Sequence, residues 1–443
     1  MFIDSTTSAE TPVAFRFEYN SDEEAFGFLN EAGEFVSFSS GSSIDISDTT
    51  ATSGTVLSGY VFYNSNKERT IGSYIPLDTS DATADAASIE SGKTAYVNGV
   101  KITGTASIPR GITKYIEYYD NLSTARYHGG SNNGGSASVG NYALFGGGYS
   151  NISPYQKDIV DAYDTNLVKS TPTALSQARC DLAATSIGDY ALFGGGRGSS
   201  ADQNTVDAYN TSLSRSIQSS LTKKSALLAA TNVGNYALFG GGIDSTTGNE
   251  YLNMVNAYNS SLSRSNISVL GAAVCLLSAT NVGNYALFGG GQTPTASSVV
   301  TAYNTSLTKT TPTALYVAVS SSSAISIGNY ALFVGSYQNN VITPYDASLT
   351  RLAAPTPLSP GRSSTSTTRI ENYALIGGGH PGTGSPSNTV EAYDEDLTKS
   401  TVLPLFTLRY QSFAANVNNH YGIFAGGSGG ASYYDTVDIY YEA

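Results

Sequence analysis

Three histidines, two cysteines and 35 carboxylates are the side chains from which this chain of 443 residues could assemble a reaction centre. His128, His380 and His420 fall in separate places, and no His-x-x-x-His pair exists to seat zinc on one helical face. Cys180 and Cys275 sit in strand-like stretches of different repeats and read as buried thiols acting as small hydrophobes, with no disulfide framework. Gly426-Gly427-Ser428-Gly429-Gly430 has the spacing of a nucleophile elbow, but no helix pattern follows it, so it reads as a turn. His420 occupies a turn slot that holds Asn or Asp in the other repeats, which gives it a structural role. Glycoside cleavage by paired carboxylates stays open, because carboxylate separation is not a property of sequence. The expectation is a chain with no catalytic residue, no metal and no cofactor, and no enzyme.

The other chemistry available is adhesive. Ten residues in variable connectors are the candidate ligand-binding set: Tyr149, Arg197, Asp202, Asp244, Asn249, Tyr251, Tyr337, Asn339, His380 and Tyr433. Tyr, Asn, Asp and Arg offer amphipathic contact area and adaptable hydrogen bonding, and rigid scaffolds carry recognition on such loops.

What must position them is a repeat. Asn141-Tyr142-Ala143-Leu144-Phe145-Gly146-Gly147-Gly148 recurs in near-copies from Asp189, Asn235, Asn284, Asn329, Asn372 and His420, with the tyrosines 43 to 49 residues apart. A period in this range, with β pattern and a glycine end, predicts propeller blades. A second phrase, Val160-Asp161-Ala162-Tyr163, recurs from Val206, Val255, Val300, Ile342, Val390 and Val437 and predicts a third strand closed by a tight turn. Small residues before each glycine phrase suit an inner strand near the axis. The stretch 169–175 and its equivalents supply an outer strand. The connectors after the glycines (149–158, 197–204, 243–253, 292–298, 336–340, 380–388 and 428–435) vary in length and share one face.

Gly-Gly after an apolar strand, as in Leu192-Phe193-Gly194-Gly195, and Tyr-Asp before a turn, as in Tyr163-Asp164, resemble the kelch-type propeller over 110–443. The usual tryptophan of that family is missing. The resemblance implies an all-β fold, a seven-bladed kelch-like β-propeller. The last blade lacks an outer strand of its own, so Lys114 to Asp120 is expected to supply it and shut the ring. Eight blades is the alternative, were 110–135 a blade of its own.

Upstream, 1–45 reads as a three-stranded meander and 46–109 as two short β-hairpin modules with linkers. Ser91-Gly92-Lys93-Thr94-Ala95-Tyr96-Val97-Asn98-Gly99-Val100-Lys101-Ile102-Thr103-Gly104-Thr105 resembles a short module of bacteriophage tail and fibre proteins; the earlier copy from Leu57 departs from it, with Tyr60 at the lysine position. That resemblance implies a virion location (tail, fibre or head surface), with 1–109 attaching to other virion proteins or to sister chains in a homo-oligomer, and a propeller turned toward a host-surface glycan. A non-binding decoration or scaffold protein, a polysaccharide depolymerase and a bacterial adhesin are the alternatives. The net charge of −13, most of it before residue 110, argues against nucleic acid as a partner, and no segment is apolar enough for membrane insertion. The start lacks a secretory signal pattern, so the chain is expected to be soluble and assembled in the bacterial cytoplasm.

Overall fold

A computed structural model describes residues 17–20, 25–29, 35–37, 61–63, 69–71, 94–97, 100–103, 112–115, 120–129, 135–336 and 339–442. The chain divides into two units, Met1–Pro109 and Arg110–Ala443. In the first unit, Phe17–Asn20, Ala25–Leu29 and Phe35–Ser37 form an antiparallel three-stranded sheet. Val61–Tyr63 pairs with Arg69–Ile71, and Thr94–Val97 with Val100–Thr103.

The second unit is a seven-bladed β-propeller, all β apart from a single 3₁₀ turn, Ser245–Thr247, among its described residues. Blade 1 runs Ser136–Val139, Tyr142–Gly146, Val160–Tyr163 and Lys169–Ser170 from axis to rim. The inner strands of blades 2 to 7 are Ala183–Ile187, Ala229–Val233, Cys275–Val282, Ser323–Ile327, Ser366–Ile370 and Phe413–Val417. Each inner strand packs on the next, and Phe413–Val417 packs on Ser136–Val139, so the ring is closed. Blade 7 takes its rim strand from the start of the unit: Ile112–Tyr115 pairs antiparallel with Val437–Glu442. This strand starts two residues before the Lys114 expected from the pattern and ends at Tyr115; residues 116–119 lie outside the described set. Its register is fixed by Lys114, which is buried and reaches Asp438 at 2.5 Å and the Pro404 carbonyl at 2.7 Å. The other rim strands are also short, Lys169–Ser170 in place of the expected 169–175.

After its half-buried tyrosine, the phrase Tyr-Ala-Leu-Phe-Gly is buried on both faces because each blade is sandwiched between two others, so its strand reads as a continuous apolar run. Its first glycine exists for the neighbour. A Cβ on Gly146, Gly194, Gly240, Gly289 or Gly377 would come within 2.5–3.0 Å of the next blade's Phe193, Phe239, Phe288, Phe333 or Phe424 ring. Blade 5 has Val334 there, and blade 6 answers with Ile376 in place of phenylalanine; the two share one apolar cluster. The third-strand tyrosine ties each blade to the one before it. Tyr163, Tyr209, Tyr258, Tyr303, Tyr345, Tyr393 and Tyr440 all donate their hydroxyl to a backbone carbonyl there, at 2.5–2.8 Å. Each such bond contributes about 1 kcal/mol.

The axis carries a second closure made only of backbone. The N–H of Asp181 donates to His128 O, Leu227 to Asp181, Leu276 to Leu227, Ser321 to Leu276, Ser364 to Ser321, Gln411 to Ser364 and His128 to Gln411, at 2.9–3.3 Å. Six of these donors hold a left-handed φ of 51–56°. That conformation is uncommon for side chains other than Gly and Asn, and the repeated neighbour contact holds it.

Candidate functional site

The face built by the post-glycine loops is organised by a residue that immediately follows the glycines. Tyr149, Arg197, Ile243, Gln292, His380 and Ser428 occupy that place in blades 1 to 4, 6 and 7; blade 5 has Ser336 where the others have their last glycine, and the residue after it lies outside the described set. Most of them bridge to the connector that enters their own blade's inner strand, as in Tyr127 with Tyr149, Cys180 with Arg197, Ala226 with Ile243 and Ser363 with His380. The face is therefore a rosette of paired short segments, and its chemistry changes around the circle.

On blades 7 and 1 it is aromatic. Tyr127 lies 5.0 Å from Tyr433 and 5.8 Å from Tyr149, between ring centroids; Tyr155 stacks on Tyr149 at 5.9 Å with 13° between planes. Tyr155 is half exposed, and Tyr127, Tyr149 and Tyr433 are partly so. Burial, then the neighbouring Tyr433 and Asp181, push the Tyr127 hydroxyl well above its ordinary pKa, so it stays a neutral hydrogen-bond donor. His380 packs edge-on against Tyr410 at 5.5 Å, and its Nδ1 accepts the Gly382 N–H at 3.0 Å.

On blades 2 and 3 it is charged. Arg197 Nε donates to Asp202 at 3.2 Å, and its Nη1 lies 3.6 Å from Asp181. Its Nη2 donates to Ser245 Oγ at 3.2 Å, while the Ser245 N–H donates to Asp202 at 2.6 Å, so the loops of two blades are tied together. The Arg197 side chain remains 41% exposed and able to meet a ligand. Burial raises the Asp181 carboxyl to about 6, against the lowering pull of Arg197. On blades 3 and 4 it is apolar, with Ala226, Ile243 and Cys275 packed together and Tyr251 against them.

Of the candidates, Tyr149 and Tyr433 are brought into one aromatic group, and Arg197 and Asp202 into one charged group. The Asp244 carboxylate accepts the Thr246 N–H and hydroxyl and caps its own turn. Asn249 is a left-handed turn residue at φ 63°, and Asn339 accepts the Val341 N–H inside its own strand end. Tyr337 lies outside the described residues. Sequence reasoning missed Tyr127, Tyr155, Tyr410, His128 and Asp181. A signal existed: Tyr127, Cys180, Ser363 and Tyr410 each follow an arginine in the same place of the repeat.

Those arginines are the largest fully buried side chains of the propeller. Arg126 meets Asp161 at 2.8 Å, Arg179 meets Asp207 at 2.7 Å, Arg362 meets Glu391 at 2.9 Å and Arg409 meets Asp438 at 2.6 Å. Each also donates to the carbonyl at the phenylalanine place of its blade's phrase, that of Phe145, Phe193, Ile376 or Phe424, at 3.1–3.4 Å. They are structural anchors beneath the face. Cys180 and Cys275 are both buried, and burial raises both thiols, Cys275 to about 11, which leaves them inert. No group of three or more His, Cys, Asp and Glu placed to hold a metal occurs among the described residues.

No protein-family model and no curated protein matches this chain. Among solved structures the fold is widely shared. One match is the structure of YjhT, at 13% identity and a TM-score of 0.51, which covers 64% of this chain and 99% of its own. A likeness at that identity speaks for the fold alone.

Proposed function

We propose that this chain is a bacteriophage virion protein whose kelch-type propeller binds a host-surface glycan on the post-glycine face. The aromatic group of Tyr127, Tyr149, Tyr155 and Tyr433, adjoining Arg197 through Asp181, carries the reading. Exposed tyrosine rings offer apolar platforms for sugar C–H faces with hydroxyls at the edge, and a half-exposed guanidinium adds directional donors. The virion part rests on the phage-type module around Ser91 to Thr105, in whose core Thr94–Val97 pairs with Val100–Thr103, with Tyr96 and Val100 exposed. Residues 1–109 then attach to other virion proteins or to sister chains. The reading includes no catalytic step.

The test is binding of the full-length chain to a glycan array and to host cells. The double variant Tyr149→Ala, Tyr433→Ala is expected to lose about tenfold or more in affinity, two ring contacts of roughly 1 kcal/mol each. Binding that survives replacement of 149–158, 197–204 and 428–435 by glycine-serine would sink the assignment of this face. A scaffold role is favoured by one separate observation: Leu403, Phe406 and Leu408 form an exposed apolar stretch between blades 6 and 7, well suited to docking a neighbouring virion protein. Location and copy number in purified particles distinguish the two.

A further inference from the structure

We infer that the axial channel holds a second, independent binding site, for a small ligand bearing a carboxylate or phosphate, with Arg369 as its charged anchor. The channel encloses about 360 Å³ between the seven inner strands. That volume is at the small end of ligand cavities and suits a molecule the size of one sugar ring. Its lining is almost wholly Ala, Ser, Thr and Asn, and Arg369 is the only charged residue among the described residues that line it.

The residues equivalent to Arg369 normally bond to each other around the ring. Ser138 Oγ donates to Asn416 O at 2.6 Å, Ser186 Oγ donates to Ser138 O, Asn232 Nδ2 donates to Ser186 O at 3.0 Å, and Asn281 Nδ2 donates to Asn232 Oδ1 at 2.5 Å. The ladder then stops. Ser326, Arg369 and Asn416, from three consecutive blades, have no side-chain donor engaged with any described residue. Asn416 uses only its oxygen, which accepts the Asn419 N–H at 3.3 Å. A gap of donors has opened where the single cation sits.

Arg369 stands in contrast to the other enclosed arginines. Arg126, Arg179, Arg362 and Arg409 each have a carboxylate, whereas Arg369 is half-buried with none among the described residues. Glu371, two residues along, lies 3.4 Å from His420. A partly desolvated guanidinium without an acceptor is unfavourable, and its planar fork matches a carboxylate or phosphate. In a chain of net charge −13, this cation has no carboxylate partner among the described residues, which leaves its planar fork open to an anion. The site lies toward the tight-turn face, at the far end of the channel from the tyrosines, so it does not depend on the glycan reading.

Calorimetric titration of the full-length chain tests it, with D-glucuronate as the carboxylated probe, D-glucose as its neutral counterpart and inorganic phosphate as competitor. Glucuronate is expected to bind at least about tenfold more tightly than glucose, the difference of one charge-assisted bidentate contact, and phosphate is expected to compete. Arg369→Gln is expected to remove the preference, and Arg369→Lys to retain part of it, while Tyr149→Ala leaves it unchanged. Melting curves check that the variants fold; should Arg369→Gln not fold, an unchanged preference in Arg369→Lys would count against the fork geometry. Equal binding of glucuronate and glucose, absence of binding by both anions, or wild-type behaviour of Arg369→Gln would each overturn the inference.

Discussion

Blades 6, 7, 1 and 2 each hold a buried arginine–carboxylate pair; blades 3, 4 and 5 hold none. The positions are equivalent. Where Arg179 faces Asp207 in blade 2, blade 3 has Ser225 and Asn256, blade 4 has Val274 and Thr301, and blade 5 has Val319 and Thr343, all buried. One backbone therefore accepts two chemistries, and the two kinds occupy contiguous arcs of the ring. The neutral arc shows that the ion pair is not needed to build a blade. The charged arc shows what it adds, since guanidinium donors reach the carbonyls beside the glycines and brace the loop-bearing ends, where the aromatic and charged groups of the candidate face sit. The lesson agrees with the energetics of buried pairs: removing one partner is costly, whereas replacing both by a packed neutral pair is often nearly neutral.

Breaking the comparison in blade 2 has the largest expected effect. Arg179→Met leaves buried Asp207 with only Arg215, at 3.6 Å, and the Ser176 N–H and hydroxyl as partners, and should cost about 3 kcal/mol, whereas Arg179→Val with Asp207→Thr, the blade 4 pair, should recover most of it. Urea unfolding of the three proteins decides this; a double variant as unstable as the single one would refute the equivalence of the arcs. The steric pairing of blades 5 and 6 can be transplanted in the same way. Gly194→Val drives a side chain into Phe239, 2.7 Å from the place of its Cβ, and should cost about 1–3 kcal/mol. Adding Phe239→Ile, as Val334 and Ile376 are combined naturally, should restore stability.

The smallest effect concerns the axial ring, where the charged arc places His128 and Asp181 and the neutral arc places Leu227, Leu276 and Ser321. Burial lowers His128 to about 3, so its contribution is full above its ordinary value near 6.5 and is lost as pH falls toward 3. Asp181 is raised to about 6, so its contribution is full below its ordinary value near 4 and is lost as pH rises through 6. Between pH 4 and 6 the two oppose, each with a limiting slope of about 1.4 kcal/mol per pH unit. Asp181→Asn should make stability rise with pH in that window, and His128→Leu should make it fall. Parallel slopes in the two variants would contradict the assignment.

The architecture was legible because one phrase repeats seven times and each copy states its strand, its glycine end and its tyrosine. Blade count and ring closure follow from those copies. The closing strand, expected over 114–120, runs Ile112–Tyr115, since the pattern gives its place in the ring but not the register that sets Lys114 against Asp438. The buried pairs were harder to read, since Arg179 and Asp207 are 28 residues apart. Comparison of the copies carries the clue: wherever the second place of the Val-x-Ala-Tyr phrase is acidic, an arginine stands before the inner strand. Of the candidate face, side-chain type alone selected Tyr149, Tyr433, Arg197 and Asp202. It also selected Asp244, whose carboxylate caps its own turn, and Asn249, which supplies a left-handed turn conformation, because turns and ligand contacts use the same residue types. Tyr127 was invisible because it sits outside the variable connectors, on the segment entering blade 1.

The pairing of Ile112 with Glu442 has a topological consequence. The first and last strands of the propeller lie side by side, so a few residues could join them without disturbing a single ladder bond. Such a circle reopened within 197–204 or 292–298 would be a permuted chain with the same seven wedges. The order in which the wedges are synthesised is thus separable from the order in which they stand around the axis.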